Sequence, residues 1–190
     1  MSKKITDDQV RELGAKYGLT YARVKMIMEV EGAGKGFSDV TGKILIQFEP
    51  AWFKRLYTEW MNNQGTWINN GVRSQPEEWK AFNDAFSKDP EAAMKATSIG
   101  NMQVMGFHYK SLGFKTVGEM WDFAKESEAN QLELGLRFIK QYPKLYKAVL
   151  ELDYYHIAYY YNGAGFMELA KRERSVPYDK RLEVAYNKYD

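Results

Sequence analysis

The chain has 190 residues, 45% of them hydrophobic and 27% charged, enough to bury one core and too polar for a membrane-embedded protein. The absence of cysteine excludes disulfides, thiolate catalysis and Cys-based zinc sites. With 27 Lys+Arg against 25 Asp+Glu, the net charge of +2 is interspersed rather than clustered, so nucleic acid is not an expected partner.

The opening "MSKKITDDQVREL" lacks the apolar core of a signal peptide, and no window has the unbroken apolar length of a membrane span. Neither an export signal nor stable membrane association is therefore expected. The first helix is predicted in "TDDQVRELGAKYG", capped by Thr6, with Val10, Leu13 and Tyr17 at helical spacing and Gly18 closing it. A second, "TYARVKMIMEVEG", is capped by Thr20 and puts Val24, Ile27, Met28 and Glu31 on one face, with Glu29 opposite, near Lys25. After the loop "GAGKGFSDVTG", the alternation in "KILIQFEP" predicts a strand ended by Pro50, with a hairpin partner inside the loop.

"AWFKRLYTEWM" reads as a compact helix, and the polar run "NNQGTWINNGVRSQP" behind it as a flap or an insertion. "PEEWKAFNDAFSKD" and "PEAAMKATS" are helical by period, with proline in the first turn. "TSIGNMQVMGF" is expected to form a turn and short helix capped by Ser98. The long pattern "SEANQLELGLRFIKQYPKLYKAVLE" is helical with a break at Pro143. No repeat or linker divides the chain, which predicts one domain over residues 1–190.

Glu31 is the leading candidate for chemistry. Apolar neighbours and the negative end of the helix dipole both favour its protonated form, which is the form a general acid needs near neutral pH. The plainer reading is a glutamate hydrogen-bonded within a helix terminus. Glu49, on the strand beside Gln47, is either a second carboxylate for glycoside cleavage or a charge guarding an edge strand.

Gln103, between Met102 and Met105, is either a sugar ligand or a core amide satisfied by backbone. Tyr161 and Asn162 belong to a tyrosine cluster that ends in Gly163, either a packed helix end or a wall of a saccharide cleft. His108 and His156 lack metal-ligand spacing and receive no ligand role, and no metal is expected.

Taken in order, "VEGAGKGF", "ILIQFEPAWF", "SIGNMQVMGF", "SEANQLELGLRFI" and "YYYNGAGF" resemble the N-acetylmuramidase catalytic domain of bacteriophage endolysins over nearly the whole chain. More widely, the order is similar to that of goose-type lysozymes and lytic transglycosylases. Gly32, Ile99 and Pro50 stand where the family pattern has Ser, Trp and Arg.

The resemblance implies a predominantly helical α+β, lysozyme-like fold with a small β-hairpin or sheet near residues 36–49. It implies hydrolysis of the β-1,4 bond between N-acetylmuramic acid and N-acetylglucosamine in bacterial peptidoglycan. Glu31 would be the general acid and Glu49 the second carboxylate, with Ser98, Gln103, Met105, Tyr161 and Asn162 binding the glycan. The expected enzyme is a monomer without a cofactor, made in the host cytoplasm, that reaches the wall with the help of a separate membrane pore protein. The alternatives are a lytic transglycosylase forming 1,6-anhydromuramyl products and a non-catalytic wall-binding or virion protein on the same fold.

Overall fold

A computed structural model of the chain describes residues 3–69 and 74–190. Thr6 caps α1 (Asp7–Lys16) through a reciprocal box with Gln9, and Gly18 leaves it at φ 71°. Thr20 then caps α2 (Tyr21–Gly32). The apolar surface of α2 is wider than one face, because Met26 and Val30 are buried along with Val24, Ile27 and Met28. It is a central helix, packed by α1 on one side and by the last helix of the chain on another.

The sheet has three short antiparallel strands in the order β1-β2-β3: β1 (Ile46–Phe48), β2 (Thr97–Ile99) and β3 (Val104–Met105). Inside the glycine loop the hairpin partner reduces to one bridge, Phe37 to Ile44. The main partner of β1 lies some fifty residues on, with Ile46 opposite Ile99 and Phe48 opposite Thr97. "TSIGNMQVMGF" is thus strand, turn and strand rather than turn and helix. Antiparallel pairing on β1 and β3 makes Thr97–Ile99 a strand that is buried throughout, and Ser98 is a strand residue, not a cap.

Helix α3 (Pro50–Leu56) is shorter than its sequence pattern predicts. Tyr57 turns extended and buries its ring, stacked at 5.2 Å on Phe53. The polar run behind it is no flap over its described part. A 3-10 turn, Thr66–Asn69, inserts Trp67 fully into the core against Phe53, and Asp84 accepts both the Trp67 amide (3.0 Å) and the Thr66 hydroxyl (3.0 Å). The rest of that run, residues 70–73, lies outside the described residues.

The remaining body is helical: α4 (Gln75–Phe86), α5 (Pro90–Lys95), α6 (Val117–Glu126), α7 (Glu128–Gln141), α8 (Pro143–Glu151), α9 (Tyr154–Tyr161), α10 (Phe166–Glu173) and α11 (Tyr178–Tyr189). Pro143 divides α7 from α8 as the sequence predicts. No described helix is long and apolar enough to cross a membrane.

Helix α7 runs through the interior and carries buried polar groups into it. The carboxylate of Glu128 accepts the amides of Ile5 (3.0 Å) and Gly36 (2.8 Å). Gln131 accepts the amide of Asn101 (2.9 Å) and donates to the carbonyl of Ala124 (3.0 Å), while the Asn101 side chain donates to the Glu128 carbonyl (3.0 Å). Only glycine fits at 36, where a Cβ would stand 1.8 Å from Gln131 Oε1. One polar cluster thereby ties the loop after α2 to the β2-β3 turn.

Glu128→Ala would strand one buried and one part-buried N–H group and cost roughly 1–4 kcal/mol. Urea unfolding measures it, and a loss below about 1 kcal/mol would show that water replaces the carboxylate at little cost.

Candidate active site

Glu31 occupies the last turn of α2 and is half-buried. The helix ends through Ala33, a left-handed residue at φ 49°, and the carbonyls of Glu29 and Met28 are closed by the amides of Ala33 and Gly34, both at 3.1 Å. Gly32 lets this helix end meet the β2-β3 turn, since a Cβ there would stand 3.0 Å from the Cα and carbonyl oxygen of Asn101. Gly32 and Gly36 therefore serve close approach, whereas the tight turn falls on Ala33 and Gly34.

Burial pushes the Glu31 carboxyl up to about 7, opposed by a hydrogen bond from the Tyr178 hydroxyl to Oε1 and by the nearby Arg181 cation. Arg181 also donates to the Val30 carbonyl (2.6 Å), closing one of the carbonyls that a helix end leaves open. Glu29 is held by Lys188 (2.9 Å) and the Tyr189 hydroxyl, with Lys25 close enough to favour its charged form. Lys25 itself faces Asp7 at 3.6 Å.

The open face of the sheet follows from strand alternation. Along β1, Ile46 and Phe48 point inward and Gln47 outward, so Glu49 shares the outer face with Gln47. The Gln47 amide donates to Glu49 Oε1 at 2.9 Å. Ser98 stands opposite Gln47, and Met105 opposite Ser98, which places both on that face as well. Burial raises the Glu49 pKa, with the Gln47 hydrogen bond opposing.

Gln103 closes the β2-β3 turn in the left-handed region, at φ 48°. Its amide accepts from the Ser98 hydroxyl (2.8 Å) and donates to the Gly100 carbonyl (2.8 Å). The Tyr161 hydroxyl donates to the Met102 carbonyl in the same turn (2.8 Å), and its own pKa is raised by burial and by the charge of Glu31. Glu31, Gln103 and Tyr161 thus surround one turn. Glu49 lies toward the other end of β1, where its amide bonds to Ala96, and makes no hydrogen bond to Glu31.

A groove of about 870 Å³ opens beside this face. Of the residues singled out from the sequence, Gln103, Met105, Tyr161 and Asn162 line it, and Ser98 reaches it only through Gln103. Neither carboxylate forms its wall. Its other surfaces are mostly flat rings, among them Trp52, Phe107, Phe138 and Tyr142, with Trp52 and Phe107 at 4.5 Å. Such faces suit the apolar sides of sugar rings. Trp52 also joins the groove to Glu49, since its amide bonds to the Glu49 carbonyl (3.0 Å).

Sequence reasoning missed four of these residues. His108 lines the groove between Phe107 (4.2 Å) and Phe138 (4.8 Å), and burial lowers its pKa to about 4, so it is neutral there near pH 7. Its position in "GFHY", amid aromatic neighbours, is the one local hint. Trp52 carries a comparable signal in "FEPAWF", directly after the candidate carboxylate. Tyr178 and Arg181 carry none, because nothing near them in sequence points to Glu31.

A mostly helical body with a small antiparallel sheet at the mouth of its site places the protein in the lysozyme-like α+β class. Residues 20–190 match the family model Muramidase, N-acetylmuramidase, and the chain belongs to that family. It is accordingly a peptidoglycan-cleaving glycoside hydrolase. The crystal structure of the Burkholderia AP3 phage endolysin is similar, with a TM-score of 0.80 and 28% sequence identity, over 100% of this chain and 72% of that one. No curated protein matches the chain.

The displaced carboxyl leaves a mark on stability. Folded protein keeps the Glu31 proton to about pH 7, while an unfolded chain releases it near 4.5. The folded state therefore binds more protons between those values, and stability falls as pH rises through them. In Glu31→Gln this slope disappears. The variant should match the wild type near pH 4 and exceed it by about 1–3 kcal/mol at pH 8. Urea unfolding at both pH values tests this, and an equal difference at each would refute the displaced titration.

Proposed function

We propose that the protein hydrolyses the β-1,4 bond between N-acetylmuramic acid and N-acetylglucosamine, with Glu31 as general acid and Glu49 as second carboxylate. One observation carries this reading: a carboxyl that holds its proton to about pH 7 stands by the β2-β3 turn and Tyr161, next to an aromatic groove that Gln103 and Tyr161 line. Glycan rings stack in the groove, and the scissile linkage crosses the sheet face. Gln103 and Asn162 offer amide groups to the acetamido and hydroxyl substituents, with Tyr161 and Met105 beside them.

Glu31 donates its proton to the leaving glycosidic oxygen, and the sugar acquires oxocarbenium character as the bond breaks. Glu49, held by Gln47, opposes that charge or orients the incoming water. Water adds to the anomeric carbon, its second proton leaving with the base, and one new reducing end appears. A lone chain performs this without a cofactor and reaches the wall from the host cytoplasm through a pore made by another protein.

Glu31→Gln should lower the clearing of bacterial walls by on the order of 10³-fold while circular dichroism stays native, and Glu49→Gln by on the order of 10². In the wild type, activity should decline above about pH 7 as Glu31 loses its proton. Mass spectrometry of digested murein should find reducing muramyl ends. Products lighter by one water, with an anhydro ring, would replace hydrolysis by transglycosylation, and undiminished clearing by Glu31→Gln would remove the acid assignment altogether.

A further inference from the structure

Helix α11 grips three successive residues at the end of α2: Lys188 and Tyr189 hold the Glu29 carboxylate, Arg181 takes the Val30 carbonyl, and Tyr178 donates to Oε1 of Glu31. Tyr178 is 6% exposed and its hydroxyl is spent on this contact. A hydrogen bond from a buried phenol fixes which oxygen faces the protein. Oε1 accepts from Tyr178, which leaves Oε2 free of that contact.

We propose that Tyr178 is a positioning residue for the general acid: it orients the Glu31 carboxyl with Oε2 toward the glycan and strengthens its hydrogen bond as negative charge forms there. This rests on the reading of Glu31 as the acid. The contact is neutral while Glu31 holds its proton and becomes charge-assisted once the proton has passed to the leaving oxygen. An interaction that grows along the reaction lowers the barrier and raises kcat rather than tightening substrate binding. The cation of Arg181 acts in the same direction from the same helix.

The groups that face Glu31 are few. Tyr178 and Arg181 approach from α11, and Tyr161 from α9, its hydroxyl committed to the Met102 carbonyl. From the β2-β3 turn the Asn101 backbone packs against the neighbouring Gly32, and the nearest charge on α2, Glu29, is neutralised by Lys188. Removing the Tyr178 hydroxyl therefore takes away a named donor that no other group replaces, and the Glu31 titration must move upward.

The test uses the full chain with soluble murein glycan as substrate. Tyr178→Phe keeps the buried ring and should lower kcat roughly ten- to hundredfold with KM nearly unchanged. The alkaline limb of its rate profile should move to higher pH. Arg181→Met should shift that limb the same way. A Tyr178→Phe enzyme that loses thermal stability but keeps the wild-type kcat and alkaline limb would show a purely structural role and overturn the proposal. Failure of the underlying reading looks different, because Glu31→Gln would then remain active whatever Tyr178→Phe does. If Tyr178→Phe is too unstable to assay, direct NMR titration of the Glu31 carboxyl in Arg181→Met decides, and an unmoved midpoint counts against control by α11.

Discussion

Two buried side chains of α7, Glu128 and Gln131, tie together two segments that also pack directly through Gly32 and Asn101. One segment follows the Glu31 end of α2; the other is the turn between β2 and β3. Polar groups so deep in a core are tolerated only when their partners are in place. That demand fixes geometry more sharply than apolar packing does, because a hydrogen bond specifies direction as well as distance. The relation of Glu31 to Gln103 and Tyr161 is inherited from it.

On this frame the acid sits in a balance of opposed effects. Burial and the carbonyl end of α2 press toward the neutral carboxyl, while the Tyr178 hydroxyl and Arg181 guanidinium favour the anion. For the proposed general acid, either influence alone would be unsuitable. Unopposed burial would give an acid too weak to yield its proton, and unopposed donors would give a carboxylate with no proton to offer. The outcome, near neutrality, is the range in which a single group can both retain a proton and release it.

Legibility in the sequence tracked how local each feature is. The caps Thr6 and Thr20, the alternation through Ile46 and Phe48 and the break at Pro143 are written within a few residues, and each appears where the pattern places it. The α+β fold class and the family were readable from ordered short motifs. Strands β2 and β3 escaped because three and two residues give too little alternation to outweigh a turn signal. Trp67 escaped because its polar neighbours hide a side chain that ends in the core. The face shared by Gln47, Glu49, Ser98 and Met105 depends on register between strands far apart in sequence. The grip of α11 on α2 is more remote still.

Tyr178 follows Glu31 by 147 residues. A ribosome therefore completes the glutamate long before it makes the phenol that contacts it, and a long loop must close before the two can meet. A nascent or prematurely terminated polypeptide can hold every motif of the cleft and still present its acid on a helix end open to water. On the proposed reading, the acid is set only once α11 has docked on α2.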